Sequence, residues 1–280
     1  MKTPKRLQPL VAEGLVDEVL RQLMSGKEAT VYIVRCGENV RCAKVYKDAN
    51  QRSFRKSVSY QEGRKTKNSR QVRAMEKGTR YGRQMQEEAW QSAEVDALYR
   101  LAAAGVRVPT PYNFFEGVLL MDLVTDADGQ PAPRLNDIEL SPEQALQFHA
   151  GLLNQVVRML CAGIIHGDLS EYNILVGGDG PVIIDLPQAV DAAGNSNAGA
   201  MLERDVANLA SYFGRFAPEL AGSDYGKEIW RLYQAGSLTP ESELTGRIEI
   251  DQRIADVDAV LEVVKEALLD EERRQLYLAS

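Results

Sequence analysis

Asp168, Asn173 and Asp185 are the residues of this chain whose types and spacing best suit chemistry. The first two stand five positions apart in His166-Gly167-Asp168-Leu169-Ser170-Glu171-Tyr172-Asn173, which runs into the apolar Ile174-Leu175-Val176. The third ends a second apolar run, Val182-Ile183-Ile184. Between the runs, Gly177-Gly178-Asp179-Gly180-Pro181 predicts a hairpin, because glycine accepts the positive φ of tight turns. Such a hairpin sets Asn173 and Asp185 at neighbouring strand ends, close enough to share a cation. Phosphoryl transfer from a nucleotide needs a set of this kind. It takes a carboxylate to orient the incoming hydroxyl and oxygen ligands for a magnesium bridging the phosphates. Asp168 suits the first role, and Asn173 with Asp185 the second. The bland alternative is a polar loop whose Asp and Asn only cap turns.

The spacing matches the kinase pattern His-x-Asp-x-x-x-x-Asn followed by a metal-binding Asp. The elements needed to position it can be read in order. Apolar residues from Leu10 to Leu23 recur at helical spacing and predict a leading helix. Ser25-Gly26-Lys27-Glu28-Ala29 is a turn leading into an alternating strand through Val34, and Gly37-Glu38-Asn39 turns into a second strand, Val40 to Tyr46. Lys44 lies in an Ala-Lys-Val strand, as does the kinase lysine that holds the α- and β-phosphates. A helix is predicted from about 84 to 104, ended by Gly105, with Glu94 inside it and able to pair with Lys44. Phe114-Phe115 and Val118 to Met121 flank Glu116-Gly117 as a hairpin. Asp122 to Val124 then leave the sheet where a hinge could offer backbone groups to adenine. Ser141-Pro142-Glu143-Gln144 is a strong helix start, and the helix runs to near Gly163. Further helices are predicted over Met201 to Phe216, with Asp205 suited to tie down the 166–173 loop, and over about 254–278.

Composition excludes several classes. At 280 residues, 44% hydrophobic and 26% charged, the chain is ordinary for a globular protein. No apolar run nears the ~20 residues that span a bilayer, and the N-terminus lacks a signal-peptide core, so a cytoplasmic location away from membranes is expected. Cys36, Cys42 and Cys161 show neither metal spacing nor an even count for a disulfide framework. Charge is unevenly placed: Arg52 to Arg83 holds eleven Arg or Lys against two Glu, a net +9. The remainder therefore carries −16 of a chain whose total is −7. This stretch is read as a mobile basic loop, about 48–83.

Taken together, the sequence resembles the RIO family of atypical protein serine/threonine kinases, in a bacterial-type form without the family's winged helix. The telling segments are Ser25-Gly26-Lys27-Glu28-Ala29-x-Val31-Tyr32, His166-x-Asp168-Leu169-Ser170-Glu171-Tyr172-Asn173 and Ile183-Ile184-Asp185-x-Pro187-Gln188, and the likeness runs from about Leu20 to Phe213. The resemblance implies one α+β, two-lobed kinase-like domain over 1–280. The N-lobe, to about 121, holds an antiparallel sheet and helix αC. The hinge falls at about 122–125, and a mainly helical C-lobe follows without an activation segment. Ala217-Pro218-Glu219, which follows the 201–216 helix, is read as a helix terminus. The resemblance also implies ATP and magnesium, or manganese in its place. It makes Asp168 the catalytic base and sets Lys44 on the phosphates, paired with Glu94. Asn173 and Asp185 fall on the metal. Ser25, Gly26, Lys27, Glu28 and Ala29 fall over the nucleotide, Met121, Asp122, Leu123 and Val124 at the hinge, and Ser170 and Glu171 beside the phosphates. Ser170 stands where ordinary protein kinases keep a phosphate-binding lysine, which points to slow turnover.

The function expected is an ATP-dependent protein kinase with autophosphorylation and slow ATPase activity, acting on itself or on an unknown protein. Two other classes remain: an aminoglycoside- or choline-type small-molecule kinase, and an ATPase-switched factor binding RNA or a ribosomal particle through the basic loop.

Overall fold

Two antiparallel hairpins and the strand between them generate a five-stranded sheet, with order β1-β2-β3-β5-β4. The strands are β1 (Glu18–Ser25), β2 (Ala29–Cys36), β3 (Asn39–Tyr46), β4 (Pro111–Phe115) and β5 (Val118–Asp122). The structure is a computed structural model that describes residues 3–47 and 93–247. The basic stretch 48–83, the first part of the helix expected from 84, and the helix expected over 254–278 lie outside the described residues.

The leading segment departs from the expected helix. Helix α1 covers only Gln8–Ala12, Gly14 takes φ 69°, and the chain then enters β1. The apolar residues from Leu15 to Leu23 satisfied a helical spacing, but β1 pairs along its length with β2. Ladder hydrogen bonds outrank a pattern that short apolar runs fit either way. The helix keeps a role: Leu7 and Leu10 pack with Val16, Val19, Val34, Ala43, Val45, Val118 and Leu120, sealing one face of the sheet. Alternation along the strands sends Ala29, Tyr46 and Leu119 to the other face, into the main core.

Helix α2, residues 93–103, contributes Val95, Ala97, Leu98 and Leu101 to that core. It ends at Gly105, whose φ of 71° suits a glycine. Helix α3 (Pro142–Cys161) starts with a complete capping box. The Ser141 hydroxyl accepts from Gln144 N at 3.2 Å, and the Gln144 side chain accepts from Ser141 N at 3.0 Å. The chain then forms β6 (Ile164–Ile165), the loop 166–173, the hairpin β7 (Ile174–Gly177) and β8 (Gly180–Ile183), and β9 (Val190–Asp191), which pairs with β6. Helix α4 (Ala198–Phe213) follows directly, and Pro218–Leu220 form only a single 3-10 turn after it.

Helix α5 (Tyr225–Gln234) had no counterpart in the sequence reading. Tyr225, Ile229, Leu232 and Tyr233 do recur at helical spacing, so the pattern was present in the sequence, but over a short segment. Its place is set by close packing on α4: a Cβ at Gly199 would meet the Trp230 ring at 2.7 Å, and one at Gly226 the Glu203 backbone at 2.9 Å. All described residues belong to one compact unit, Met1–Arg247, and the mixed helix-and-sheet class matches the α+β expectation.

Candidate active site

Register places Lys44 near the middle of β3, opposite Val31 on one side and Leu119 on the other. Its ammonium donates to Glu94 Oε1 of α2 at 2.5 Å and to Asp185 Oδ1 at 2.9 Å. The second Glu94 oxygen accepts from the Tyr46 hydroxyl at 2.8 Å, so a buried carboxylate is satisfied on both oxygens. Burial by itself lowers the Lys44 pKa, but the carboxylates of Asp185 and Glu94 outweigh it and hold the ammonium well above its ordinary value. In return, the Lys44 charge pulls Asp185 below the usual carboxylate range. Burial raises the Tyr46 phenol, and Glu94 adds to the rise.

Asp185 stands two residues past the end of β8 and takes φ 66°, a left-handed conformation that aspartate tolerates better than most residues. The hairpin supplies its neighbour: Ile184 N donates to Asn173 O at 2.9 Å, so Asn173 and Asp185 stand at adjacent strand ends. Asn173 Nδ2 donates to Asp168 O at 2.8 Å, which leaves the Oδ1 of Asn173 facing away from that bond. Asp168 itself is exposed, and one of its oxygens accepts from Gln188 Nε2 at 3.1 Å.

The loop is held from beneath by α4. Asp205 accepts from Gly167 N at 2.7 Å and from Leu169 N at 3.1 Å, Arg204 donates to Gly167 O, and Asn208 donates to Leu169 O at 3.0 Å. Gly167 has φ 80°, which only a glycine adopts easily. His166 bridges the loop to the hairpin: its Nδ1 accepts from Asp168 N at 3.3 Å, so its Nε2 donates to Ile184 O at 3.1 Å. Desolvation raises the Asp205 pKa to about 6. Ser170 opens the 3-10 turn Glu171–Asn173 and accepts from Asn173 N through its carbonyl.

The turn Ser25 to Ala29 stands exposed up to Glu28, whereas Ala29 is buried in the main core. Gly26 N donates to Ala29 O at 2.9 Å. Lys47 steadies the turn from outside, with Nζ on Gly26 O at 2.6 Å and on Ser25 Oγ at 3.2 Å. At the end of β5, where a hinge was expected, the Asp122 carboxylate is turned to β4, accepting from the Tyr112 hydroxyl at 2.5 Å and from Thr110 N at 3.3 Å. Asp122 N also donates to Thr110 O, and Val124 O accepts from Ala132 N at 3.0 Å. Met121 pairs opposite Cys42, Asp122 ends β5 opposite Arg41, and Leu123 is half-buried. The hairpin glycines do more than turn the chain. Gly178 N donates to Thr125 O, and Cβ atoms on Gly177 and Gly178 would press within 3.3 to 3.4 Å of Val124, Thr125, Asp126 and Ala127.

The structure thus gathers Lys44, Glu94 and Asp185 into direct contact, with Asp168 and Asn173 joined to one another beside them. It also supplies residues to which the sequence reading gave no role: Gln188 on Asp168, Lys47 on the turn and Tyr46 on Glu94. Gln188 lay within a segment already singled out, but nothing local distinguishes Lys47.

The donor set suits a hard cation. Asp185 keeps one oxygen beyond its Lys44 bond and Asn173 its amide oxygen, and oxygen-only ligation with few protein ligands is what magnesium accepts. Among the described residues there is no cluster of three or more His, Cys, Asp and Glu able to hold a metal by themselves. Nor is any described helix long and apolar enough to cross a membrane.

Comparison with known proteins agrees with the geometry. The family model described as RIO domain matches residues 30–225, which includes every residue of this cluster. The RIO-type serine/threonine-protein kinase Rio1 of Haloferax volcanii is 34% identical over 215 residues, covering 76% of this chain and 69% of that protein. The protein of the same name from Methanocaldococcus jannaschii is 32% identical over 216 residues, with the same two shares. The serine/threonine-protein kinase RIO1 of Homo sapiens is 29% identical over 244 residues, which is 86% of this chain but 40% of that longer protein. By the extent of the match and the residues inside it, this chain belongs to the RIO domain family.

Proposed function

We propose that the chain is an ATP- and magnesium-dependent protein serine/threonine kinase of RIO type, one that phosphorylates itself and turns ATP over slowly. The observation that carries the reading is the ammonium of Lys44 held between Glu94 and Asp185, with the exposed Asp168 carboxylate and Asn173 at the same end of the β7–β8 hairpin. Similarity to proteins named as serine/threonine kinases supports the substrate class.

In this reading Lys44 stays cationic at any working pH and anchors phosphate oxygens. Glu94 and Tyr46 keep it from collapsing into the core. Asp168 orients a hydroxyl and accepts its proton, with Gln188 fixing which of its oxygens faces the incoming group. Asn173 and Asp185 are the residues that would hold magnesium or manganese; when bound, the ion supplies positive charge against the phosphates. Asp205 keeps the loop backbone rigid through Gly167 and Leu169. Hinge contact with adenine falls to the backbone groups of Met121 to Val124 other than Asp122 N and Val124 O, which are bonded to Thr110 and Ala132, and the Asp122 side chain is occupied by β4. The turn 25–28 covers the nucleotide, with Ser170 and Glu171 beneath the phosphates. Without a lysine at Ser170, charge stabilisation in transfer is weaker than in ordinary protein kinases, which accords with slow turnover.

The test is incubation of the purified chain with γ-labelled ATP and magnesium, alone and with a general protein acceptor. Acid and hydroxylamine treatment then separates phosphoserine from acyl phosphate. Label on the chain or the acceptor, lost in Asp168→Ala and Asp185→Ala, is the expected result. A wild type that neither releases ADP nor transfers label overturns the reading, and strong stimulation by an aminoglycoside or choline moves it to a small-molecule kinase.

A further inference from the structure

The segment that follows the hinge crosses in front of the β7–β8 hairpin and is stitched to it: Val176 N donates to Pro133 O at 2.8 Å, and Arg134 pairs with Leu175 as an isolated bridge. The Arg134 backbone is therefore fixed two residues beyond Asn173. Its side chain reaches the other lobe, where Nη2 lies 3.7 Å from the Met24 sulfur, one residue before Ser25 and the exposed turn. The same guanidinium makes the smallest contribution to lowering the Asp185 carboxyl, after Lys44 and His166. A single half-buried cation thus joins the strand entering the nucleotide-covering turn to the β7–β8 hairpin that begins one residue after Asn173.

That arrangement is poorly satisfied as it stands. Guanidinium offers five N–H donors in a fork that fits phosphate oxygens, whereas its hydrogen-bond acceptor among the described residues is a thioether, a weak one. The site also lacks the lysine that ordinary kinases place at Ser170. Of the other cations near the site, Lys44 shares its charge with two carboxylates as well as serving the phosphates in the kinase reading, and Lys47 is held on the outside of the turn. Lys27 stands exposed at the turn tip.

We propose that Arg134 binds the polyphosphate chain of the nucleotide and sets its specificity, leaving Met24 for phosphate oxygens so that the cleft discriminates nucleotides by the number of phosphates they carry. The assignment rests on the kinase reading above and adds a phosphate ligand that the sequence did not single out.

Equilibrium binding of ATP, ADP, AMP and adenosine to the full chain, in wild type, Arg134→Leu and Arg134→Lys, tests it at fixed magnesium and two salt concentrations. The expected result is that Arg134→Leu weakens ATP and ADP roughly ten- to hundredfold while adenosine stays within about twofold. Arg134→Lys recovers most of the loss, and the salt dependence of ATP binding flattens in the leucine variant. Equal loss for adenosine and ATP identifies a packing role against Met24 and overturns the proposal. Unchanged ATP affinity in Arg134→Leu overturns it while leaving the kinase reading in place. A wild type that binds none of the four nucleotides overturns both.

Discussion

The ammonium of Lys44 stands 2.9 Å from Oδ1 of Asp185, joining β3 to the segment just past β8 across 141 positions of sequence. One cation therefore serves two carboxylates, and each lobe of the fold is registered on the other through it. On the proposed kinase function, Lys44→Met is expected to reduce nucleotide turnover by at least about a hundredfold, since the charge assigned to the phosphates is lost from a largely buried position. It should also lower the melting temperature, because Glu94 is buried and keeps only Tyr46 as partner. ADP release and calorimetry on the same preparation check both, and unaltered turnover would take Lys44 out of the mechanism.

Asp168 is exposed and contacts Gln188, so its removal disturbs little else. Asp168→Ala is expected to abolish phosphoryl transfer with ATP affinity held within about threefold, as befits a group acting on the acceptor hydroxyl. Gln188→Leu should lower kcat by about tenfold with KM for ATP nearly unchanged, because it frees the carboxylate without removing it. A matching rise in KM would make Gln188 a binding residue instead of a positioning one.

Asp205 gives a pH signature with a definite sign. Burial lifts its pKa from 3.8 to about 6, so between those values the folded state holds a proton that the unfolded state has released. Stability contributed by this group is fully present below the lower value and declines as pH rises through the window, by about 3 kcal/mol in all. Asp205→Asn cannot ionise and should lack that decline. Urea unfolding at pH 4.5 and pH 7 is the measurement: relative to Asp205→Asn, the wild type should lose stability at the higher pH, and parallel values would sink the assignment. The amide also presents donors to the N–H groups of Gly167 and Leu169, so turnover should fall at both pH values.

Gly199 faces the Trp230 ring with no room for a methyl group. Gly199→Ala is expected to destabilise the fold by about 1–3 kcal/mol through overpacking between α4 and α5, outweighing the gain in helix propensity. Chemical denaturation reads it directly. A stabilised variant would mean that Trp230 moves aside easily.

The sequence by itself determined what depends on short stretches of chain. The hairpin of β7 and β8, the capped start of α3 and the spacing of Asp168, Asn173 and Asp185 follow from turn glycines, a Ser-Pro-x-Gln start and residues within one loop. Asp205 was also named as an anchor of that loop, although the amides it holds lie 38 and 36 positions away. Tertiary structure decided the rest. The residues from Glu18 to Ser25 fit a helical period, and only pairing with β2 made them a strand. Helix α5 is short and was missed although its apolar residues recur at helical spacing; contact with α4 decides where it lies. Lys44 meets Asp185, Gln188 meets Asp168, and Arg134 meets Met24 across 141, 20 and 110 positions. Local propensity and periodicity carry no information about which distant side chains meet. Such contacts are set when strand register and lobe packing bring separate segments to one place.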